Sequence, residues 1–387
     1  MVKKIVINKI LSDKESSDLE GKWIDESYIK HPIINSNTDV YRLDDNNNEI
    51  LLLKFRKKVI SDKLLQIGWQ SYKDLAKASR GRGASAGPIN PKSQYWKKRD
   101  LIKTNKWSTG YLTPNGNEMK KEFDQLSLED LLIISKEIDL STDDEMINDK
   151  TKLILEIIKH KGGFSKMKVN NQVASNPIGF YEESNNFAKL PCRLTHFTRT
   201  NYDKYNKGLK FIQRIDKLFE RLIPESHAKQ LERANTKSYL KIPKTSFSTI
   251  TINRNFRTAL HKDAGDFKGG FGNLTVIERG KYHGGYTVFP QYGIGINLRN
   301  NDFCAMDVHQ WHSNTPINET EEDKKFNETL DSDYNDNPEV GTEGLYTKYT
   351  RLSFVCYLRE KIAKCPNEVE IDSQFLTKSG HSKIVIK

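Results

Sequence analysis

Downstream of residue 246 the chain breaks into short runs in which apolar and β-branched residues alternate with polar ones or cluster: SFSTITINRNF, GNLTVIERG, GGYTVFPQYGIGINL, DFCAMDV and TRLSFVCYLR. Gly, Asn and Asp separate them, which is the mark of strands joined by turns. Short strands at this regular spacing predict an all-β sandwich or jelly-roll core. Upstream the period lengthens. Residues 40–55 still read as two short strands around an Asp/Asn-rich turn. DKLLQIGWQSYKDLAKAS (62–79), however, repeats its apolar positions at helical spacing and stops at the glycines of RGRGASAGPINP. Within 126–160, Ser127 can cap a helix bearing Leu128, Leu131, Leu132 and Ile138. A polar link then leads to a second helix with Leu153, Ile154, Ile157 and Ile158. A third helical run, 203–234, is rich in Lys, Arg and Leu and should pack on the strands that follow it. The predicted class is α+β: a jelly-roll core braced by N-terminal helices. The predicted organisation is a basic N-terminal region (1–125) that belongs with the core, a small helical insertion (126–162) and the β core itself (163–387).

Composition narrows the setting. No stretch has the roughly 18 unbroken apolar residues of a membrane span, and the apolar run of the N-terminal MVKKIVINKILSDKESS is broken by Asn8 and Lys9, which argues against a signal peptide. The four cysteines (Cys192, Cys304, Cys356, Cys365) lack CxxC spacing and are too few for a disulfide framework, so a reducing intracellular setting, cytoplasm or nucleus, is expected. Asn-, Lys- and Ile-rich usage fits an AT-rich genome, a viral or phage source included.

Charge sharpens the picture. Lys and Arg number 62 against 51 acids, a formal +11. Between Lys54 and Lys106 there are 15 Lys/Arg and three acids, a local +12 larger than the whole excess, with Phe55, Trp69, Tyr72, Tyr95 and Trp96 interleaved and Trp107 directly after. Such a run can be a solvated helical face. It can equally be a polyanion surface, because neutralising phosphates releases counterions and favours clustered cations. On the second reading Arg80 and Arg82, in the glycine-rich loop, and Lys97, Lys98 and Arg99 are candidate nucleic-acid contacts. The loop is no P-loop, since no Gly-Lys-Ser/Thr follows it.

Candidate chemistry gathers in the β half. His261 and Asp263, in HKDAGD, end the first strand run, where a period of two puts both side chains on one face. A strand returning alongside could bring His283, His309 or His312 to the same ion. Two His and one carboxylate leave three open positions, which suits a non-haem ferrous oxygenase. Two of these would take the 2-oxo and carboxylate oxygens of a keto acid and the third would take dioxygen. The keto acid's remote carboxylate then wants a fixed bidentate cation, a task for Arg. Arg351 opens RLSFVCYL, and Arg359 stands at its far end.

The ordered run from TITINRNFRTALHKDAGD through GGYTVFPQYG and DVHQWHSNTPI to RLSFVCYLR resembles the Fe(II)/2-oxoglutarate-dependent dioxygenases of the TET/J-binding-protein group, which oxidise the methyl group of 5-methylcytosine or thymine in DNA. The likeness covers about 245–360 and extends more loosely through SRGRGASAGPIN (79–90) and NNQVASNPIGFYE (170–182). It implies a double-stranded β-helix (jelly-roll) fold, His261, Asp263 and His312 as iron ligands, and Arg351 as the partner of 2-oxoglutarate. It implies Fe(II), 2-oxoglutarate and O2 as cofactor and cosubstrates. His312 fits better than His309, because HSNTP resembles the family's HGNTP. The substrate would be a pyrimidine flipped out of duplex DNA, 5-methylcytosine first and thymine second, with Asn255, Thr258, Asn176 and Tyr181 as candidate contacts. Residues 126–160 also look like a SAP-type helical module, whose relatives bind DNA; because the unit is acidic until its end, a structural insertion is the preferred reading. Arg351 follows His312 by 39 residues, more than the family pattern leads one to expect, and residues 318–344, with ten acids and two lysines, read as a disordered or lid-like inserted loop. Two other readings stand beside the DNA hydroxylase: the same iron chemistry acting on a protein side chain, RNA or a small molecule, and a non-catalytic DNA-binding protein.

Overall fold

The computed structural model describes residues 1–76, 78–79, 82–88, 114–163, 173–183, 191–331 and 348–366. The chain divides into two compact units, one of Met1–Ser85 with Gln172–Lys387 and one of Ala86–Asn171.

The larger unit holds the strands Lys3–Ile7 (β1), Thr38–Leu43 (β2), Glu49–Arg56 (β3), Ala78–Ser79 (β4), Val173–Tyr181 (β5), Arg193–Leu194 (β6), Thr249–Arg254 (β7) and Gly272–Arg279 (β8). They continue with His283–Gly284 (β9), Thr287–Phe289 (β10), Ile294–Ile296 (β11), Phe303–Met306 (β12), Ser313–Asn314 (β13), Ile317–Asn318 (β14) and Thr350–Tyr357 (β15). Ten of them form one sheet in the order β1-β2-β3-β12-β8-β15-β7-β5-β4, with β6 beside β5. β11-β10-β13 make a smaller sheet, and β14 pairs with β9.

Strand periodicity divides the large sheet's two faces. Ile250 and Ile252 of β7, Ile277 of β8, and Leu352, Phe354 and Cys356 of β15 enter a core shared with two helices, Asp62–Tyr72 and Tyr202–Leu222. These helices approach closely because Gly208 has no side chain: a Cβ there would lie 2.2 Å from the Tyr72 ring. From the other face Leu274, Val276, Cys304 and Met306 pack against Phe289, Ile294 and Ile296 of the small sheet. The layers are therefore helices, large sheet and small sheet, a mixed helix-and-sheet fold.

Several boundaries depart from the sequence reading. The helix expected over 62–79 stops at Tyr72, since Lys73–Leu75 tightens to a 3-10 turn and Ala78–Ser79 joins β5 as a strand. The run 203–234 is two helices, Tyr202–Leu222 and Pro224–Asn235, because Pro224 supplies no N–H to continue the first. The acidic segment read as a loop over 318–344 contains a helix at Glu321–Glu328, started by a reciprocal Thr320–Asp323 capping box; its residues 332–344 lie outside the described residues. Cys192 and Cys365, read as free thiols, form a disulfide across 173 residues of sequence. Cys304 and Cys356 remain free and buried.

The smaller unit is helical. Helices Pro114–Phe123, Leu128–Glu137, Asp144–Asn148 and Lys150–His160 surround a core of Phe123, Leu131, Leu153, Ile154, Ile157 and Ile158. Ser127 caps its helix as expected, with Asp130 returning the bond to the Ser127 N–H.

Candidate metal centre

His261 lies seven residues past the end of β7 rather than on it. What places it is a long-range bridge: the His261 N–H donates to the His312 carbonyl at 3.1 Å and the His312 N–H donates back at 3.0 Å. Asp263 is fixed two residues on, its N–H bonded to the Val308 carbonyl at 3.0 Å. The expected pairing of His261 with Asp263 therefore holds, but its cause is this bridge and not the strand period.

The side chains converge. One donor atom from each of His261, Asp263 and His312 lies within 4.8 Å of the others. His261 Nε2 is 3.5 Å from Asp263 Oδ1, and His312 Nε2 is 3.7 Å from Asp263 Oδ2. Each ring's other nitrogen is anchored, His261 Nδ1 on the Ala259 carbonyl (2.8 Å) and His312 Nδ1 on the Gln310 carbonyl (2.9 Å). A carbonyl oxygen only accepts, so each Nδ1 is committed to donating and the Nε2 atoms are the ones left to ligate an ion. Burial, helped by the neighbouring His261, lowers the His312 pKa to about 4, so its ring is neutral and ready to ligate at ordinary pH. Phe289, in the GGYTVFP stretch, packs its ring 6.1 Å from that of His312. The donor set fits a divalent iron with imidazole and carboxylate ligands. His309 is held elsewhere, its N–H on Asp307 and its Nε2 facing the Phe267 carbonyl.

Arg351 opens β15 on the face away from the helices. It is 3% exposed, burial brings its guanidinium down to about 10, and its Nε has no hydrogen-bond partner among the described residues. A buried, unsatisfied cation is what an incoming carboxylate would satisfy. Its backbone is clamped by Asn255, whose Oδ1 accepts from the Arg351 N–H at 2.7 Å and whose Nδ2 donates to the Tyr349 carbonyl at 3.1 Å. Asn255 sits at φ 48, a left-handed conformation that Asn tolerates. The alternative cation, Arg359, is paired through Nε and Nη2 with both carboxylate oxygens of Glu182.

The remaining candidates are scattered. Thr258 Oγ1 donates to Asn314 Oδ1 at 2.8 Å, tying together the segments that carry His261 and His312. Asn176 Nδ2 donates to the Leu75 carbonyl at 3.2 Å. Tyr181 is flanked by the guanidinium groups of Arg193 (5.4 Å) and Arg359 (5.2 Å). Arg82 Nη2 reaches the Ser175 carbonyl at 3.4 Å. Arg80, Lys97, Lys98 and Arg99 lie outside the described residues. Sequence reasoning passed over Asp266, the last residue of HKDAGD. Its carboxyl is buried, lacks a partner on Oδ2 among the described residues, and is pushed well above the usual range by burial and then by Asp263. Its position three residues after Asp263 was the available signal.

Known proteins resemble this stretch of the chain. Residues 176–360 match the Tet_JBP family, the oxygenase domain of the 2OGFeDO superfamily. The bifunctional helicase and thymine dioxygenase JBP2 of Leishmania major is 32% identical over 193 residues, 50% of this chain and 15% of the relative. Thymine dioxygenase JBP1-A of Trypanosoma cruzi (strain CL Brener) is 28% identical over 211 residues, 54% of this chain and 21% of the relative. This chain thus spans about a fifth or less of those relatives' lengths. A solved complex of NgTET1 with 5mC DNA is 9% identical at a TM-score of 0.41, covering 94% of this chain and all of that one, a likeness too slight to bear on substrate. With the His–Asp–His triad and Arg351 both inside the matched span, residues 176–360 of this chain resemble the TET/JBP-like oxygenase domains of the 2OGFeDO superfamily.

Proposed function

We propose that this protein is an Fe(II)- and 2-oxoglutarate-dependent dioxygenase that hydroxylates the 5-methyl group of a pyrimidine in DNA. The observation that carries the reading is the convergence of His261 Nε2, His312 Nε2 and the Asp263 carboxylate within a Tet_JBP domain. Relatives named as thymine dioxygenases support a 5-methylpyrimidine target and keep thymine beside 5-methylcytosine. The same reading takes the facing large and small sheets as a double-stranded β-helix.

His261, Asp263 and His312 would hold the iron, and Arg351 the remote carboxylate of 2-oxoglutarate. When bound, iron, 2-oxoglutarate and O2 supply the oxidising power for hydroxylating a C–H bond, with succinate and carbon dioxide as co-products. The chain's own part is placement. The Ala259 and Gln310 carbonyls fix the two imidazoles in the tautomer that ligates, Asp263 contributes the negative charge, and Asn255 holds the backbone of Arg351. Phe289 walls one side of His312 against water. A methyl group inside a duplex cannot reach a partly buried centre, so the base must leave the stack.

The test is nucleoside mass spectrometry after incubation with Fe(II), 2-oxoglutarate and ascorbate. Unmodified and 5-methylcytosine-containing duplexes serve as substrates, with a His261→Ala control. 5-Hydroxymethyluracil that disappears in the control identifies thymine as the target; 5-hydroxymethylcytosine identifies 5-methylcytosine. Succinate formation with neither nucleoside product would keep the iron chemistry and reject the DNA substrate.

A further inference from the structure

Glu278 of β8 and Arg351 of β15 stand directly opposite each other in register, so both side chains leave the sheet on one face. Cross-strand neighbours have Cβ atoms roughly 5 Å apart, and at that separation a buried guanidinium and a carboxylate ordinarily close into a charge-assisted pair. Here they do not. Arg351 Nε is unpartnered among the described residues, while both oxygens of Glu278 are occupied by other donors. Oε1 accepts from the Tyr282 hydroxyl and from Arg299 Nη1 (3.2 Å), and Oε2 accepts from the Asn300 N–H (2.9 Å).

Arg299 is itself held in place. Its Nη2 donates to the Gly284 carbonyl at 3.2 Å, its Nε donates to Asn297 Oδ1 at 2.6 Å, and its guanidinium lies 4.3 Å over the Tyr282 ring. The network borders Arg351 directly. A Cβ built at Gly285, which has φ 66, would be 3.7 Å from both Arg351 Nε and Tyr282 Cε2.

We infer that Arg299 is a positioning residue: together with Tyr282 it keeps the protein's own carboxylate, Glu278, off Arg351 and so leaves that cation open to the terminal carboxylate of an incoming oxo-diacid. The inference rests on the proposed role of Arg351 in holding 2-oxoglutarate. The physics is competition. A carboxylate tethered to the neighbouring strand would meet Arg351 at high effective concentration, and a cosubstrate would have to displace it. Holding Glu278 with two other side chains and a main-chain N–H removes that competitor without removing its charge from the pocket.

The test is calorimetric titration of 2-oxoglutarate into the full chain loaded with Mn(II), without oxygen, so that binding is read apart from turnover. Arg299→Ala frees Glu278 and should weaken binding roughly tenfold or more, the scale of a charge-assisted bond. Adding Glu278→Gln in the same chain removes the competitor and should restore most of that loss. Arg299→Lys, which still bonds Glu278, should fall between. Tyr282→Phe, a milder change should Arg299→Ala fail to fold, should weaken binding less and be rescued by the same Glu278→Gln. A purely structural Arg299 predicts no rescue, because the second substitution would only add damage. Undiminished binding in the Arg299 variant, or a double variant as weak as the single, overturns the proposal while leaving Arg351 its role. A wild-type protein that does not bind 2-oxoglutarate would overturn the cosubstrate reading and this proposal with it.

Discussion

Glu20 illustrates how much of the site's surroundings is set one residue at a time. Partial burial pushes its carboxyl up to about 7, against the pull of Lys262, which lies between His261 and Asp263 in HKD. In the unfolded chain the same carboxyl ionises near 4.5. Between those values the folded state binds more protons than the unfolded one, so the contribution of Glu20 to stability falls as pH rises and is level above pH 7. Glu20→Gln should therefore melt close to wild type at pH 4 and be more stable at pH 8, by about 1 kcal/mol once solvent screening of a partly exposed group is allowed for. Thermal melts at the two pH values check this; an equal gap at both would reject it. The candidate ligand residues could be picked out at this scale because His, Asp, His and Arg occur in a chemically meaningful order. Asn255 was not. A polar residue beside the HxD pair looks like a substrate contact, yet its amide is bonded to the main chain of Arg351 and Tyr349. Only the fold reveals that φ 48 turns it back onto β15.

At the scale of elements, alternation in TITINR and RLSFVCY was enough to locate β7 and β15, since one face of each strand is apolar and enters a core. The ligand bridge between His261 and His312 could not be read, because it depends on a pairing some fifty residues long in sequence. Helix Glu321–Glu328 was missed for a different reason. Its composition is that of a disordered segment, and the order comes from one face only. There Asp323 Oδ2 lies 2.9 Å from His283 Nε2, and Asn327 grips the backbone of Lys281, accepting from its N–H at 2.7 Å and donating to its carbonyl at 2.8 Å. Asn327 is buried at 1% exposure and stands over Gly280, where φ is +86. Asn327→Ala would leave both Lys281 groups unsatisfied, a loss of about 2 kcal/mol. Denaturant unfolding should show that loss, and hydrogen exchange should show the Lys281 amide deprotected. Unchanged exchange at Lys281 would mean that the helix is not held there.

Across the whole chain, the Cys192–Cys365 bond is the feature that spacing was least able to reveal. Sequence rules look for CxxC pairs or dense frameworks, and neither covers two cysteines separated by 173 residues. The fold brings them together in a small core with Phe180, Leu194, Tyr239, Leu240 and Ile362. The covalent loop runs from 192 to 365 and so encloses His261, Asp263, His312 and Arg351 together. Cross-linking a loop this long removes freedom mainly from the unfolded chain, and the usual gain is about 2–4 kcal/mol. Reduction, or Cys192→Ser with Cys365→Ser, should therefore lower the guanidinium unfolding midpoint by the corresponding amount. Cys304 should not contribute, because it is buried and burial pushes its thiol up to about 12, which keeps it from reacting as a thiolate. A peptide map of unreduced protein should show one cross-linked pair containing Cys192 and Cys365. If the map shows both as free thiols and reductant leaves the midpoint unmoved, the loop is closed by packing alone.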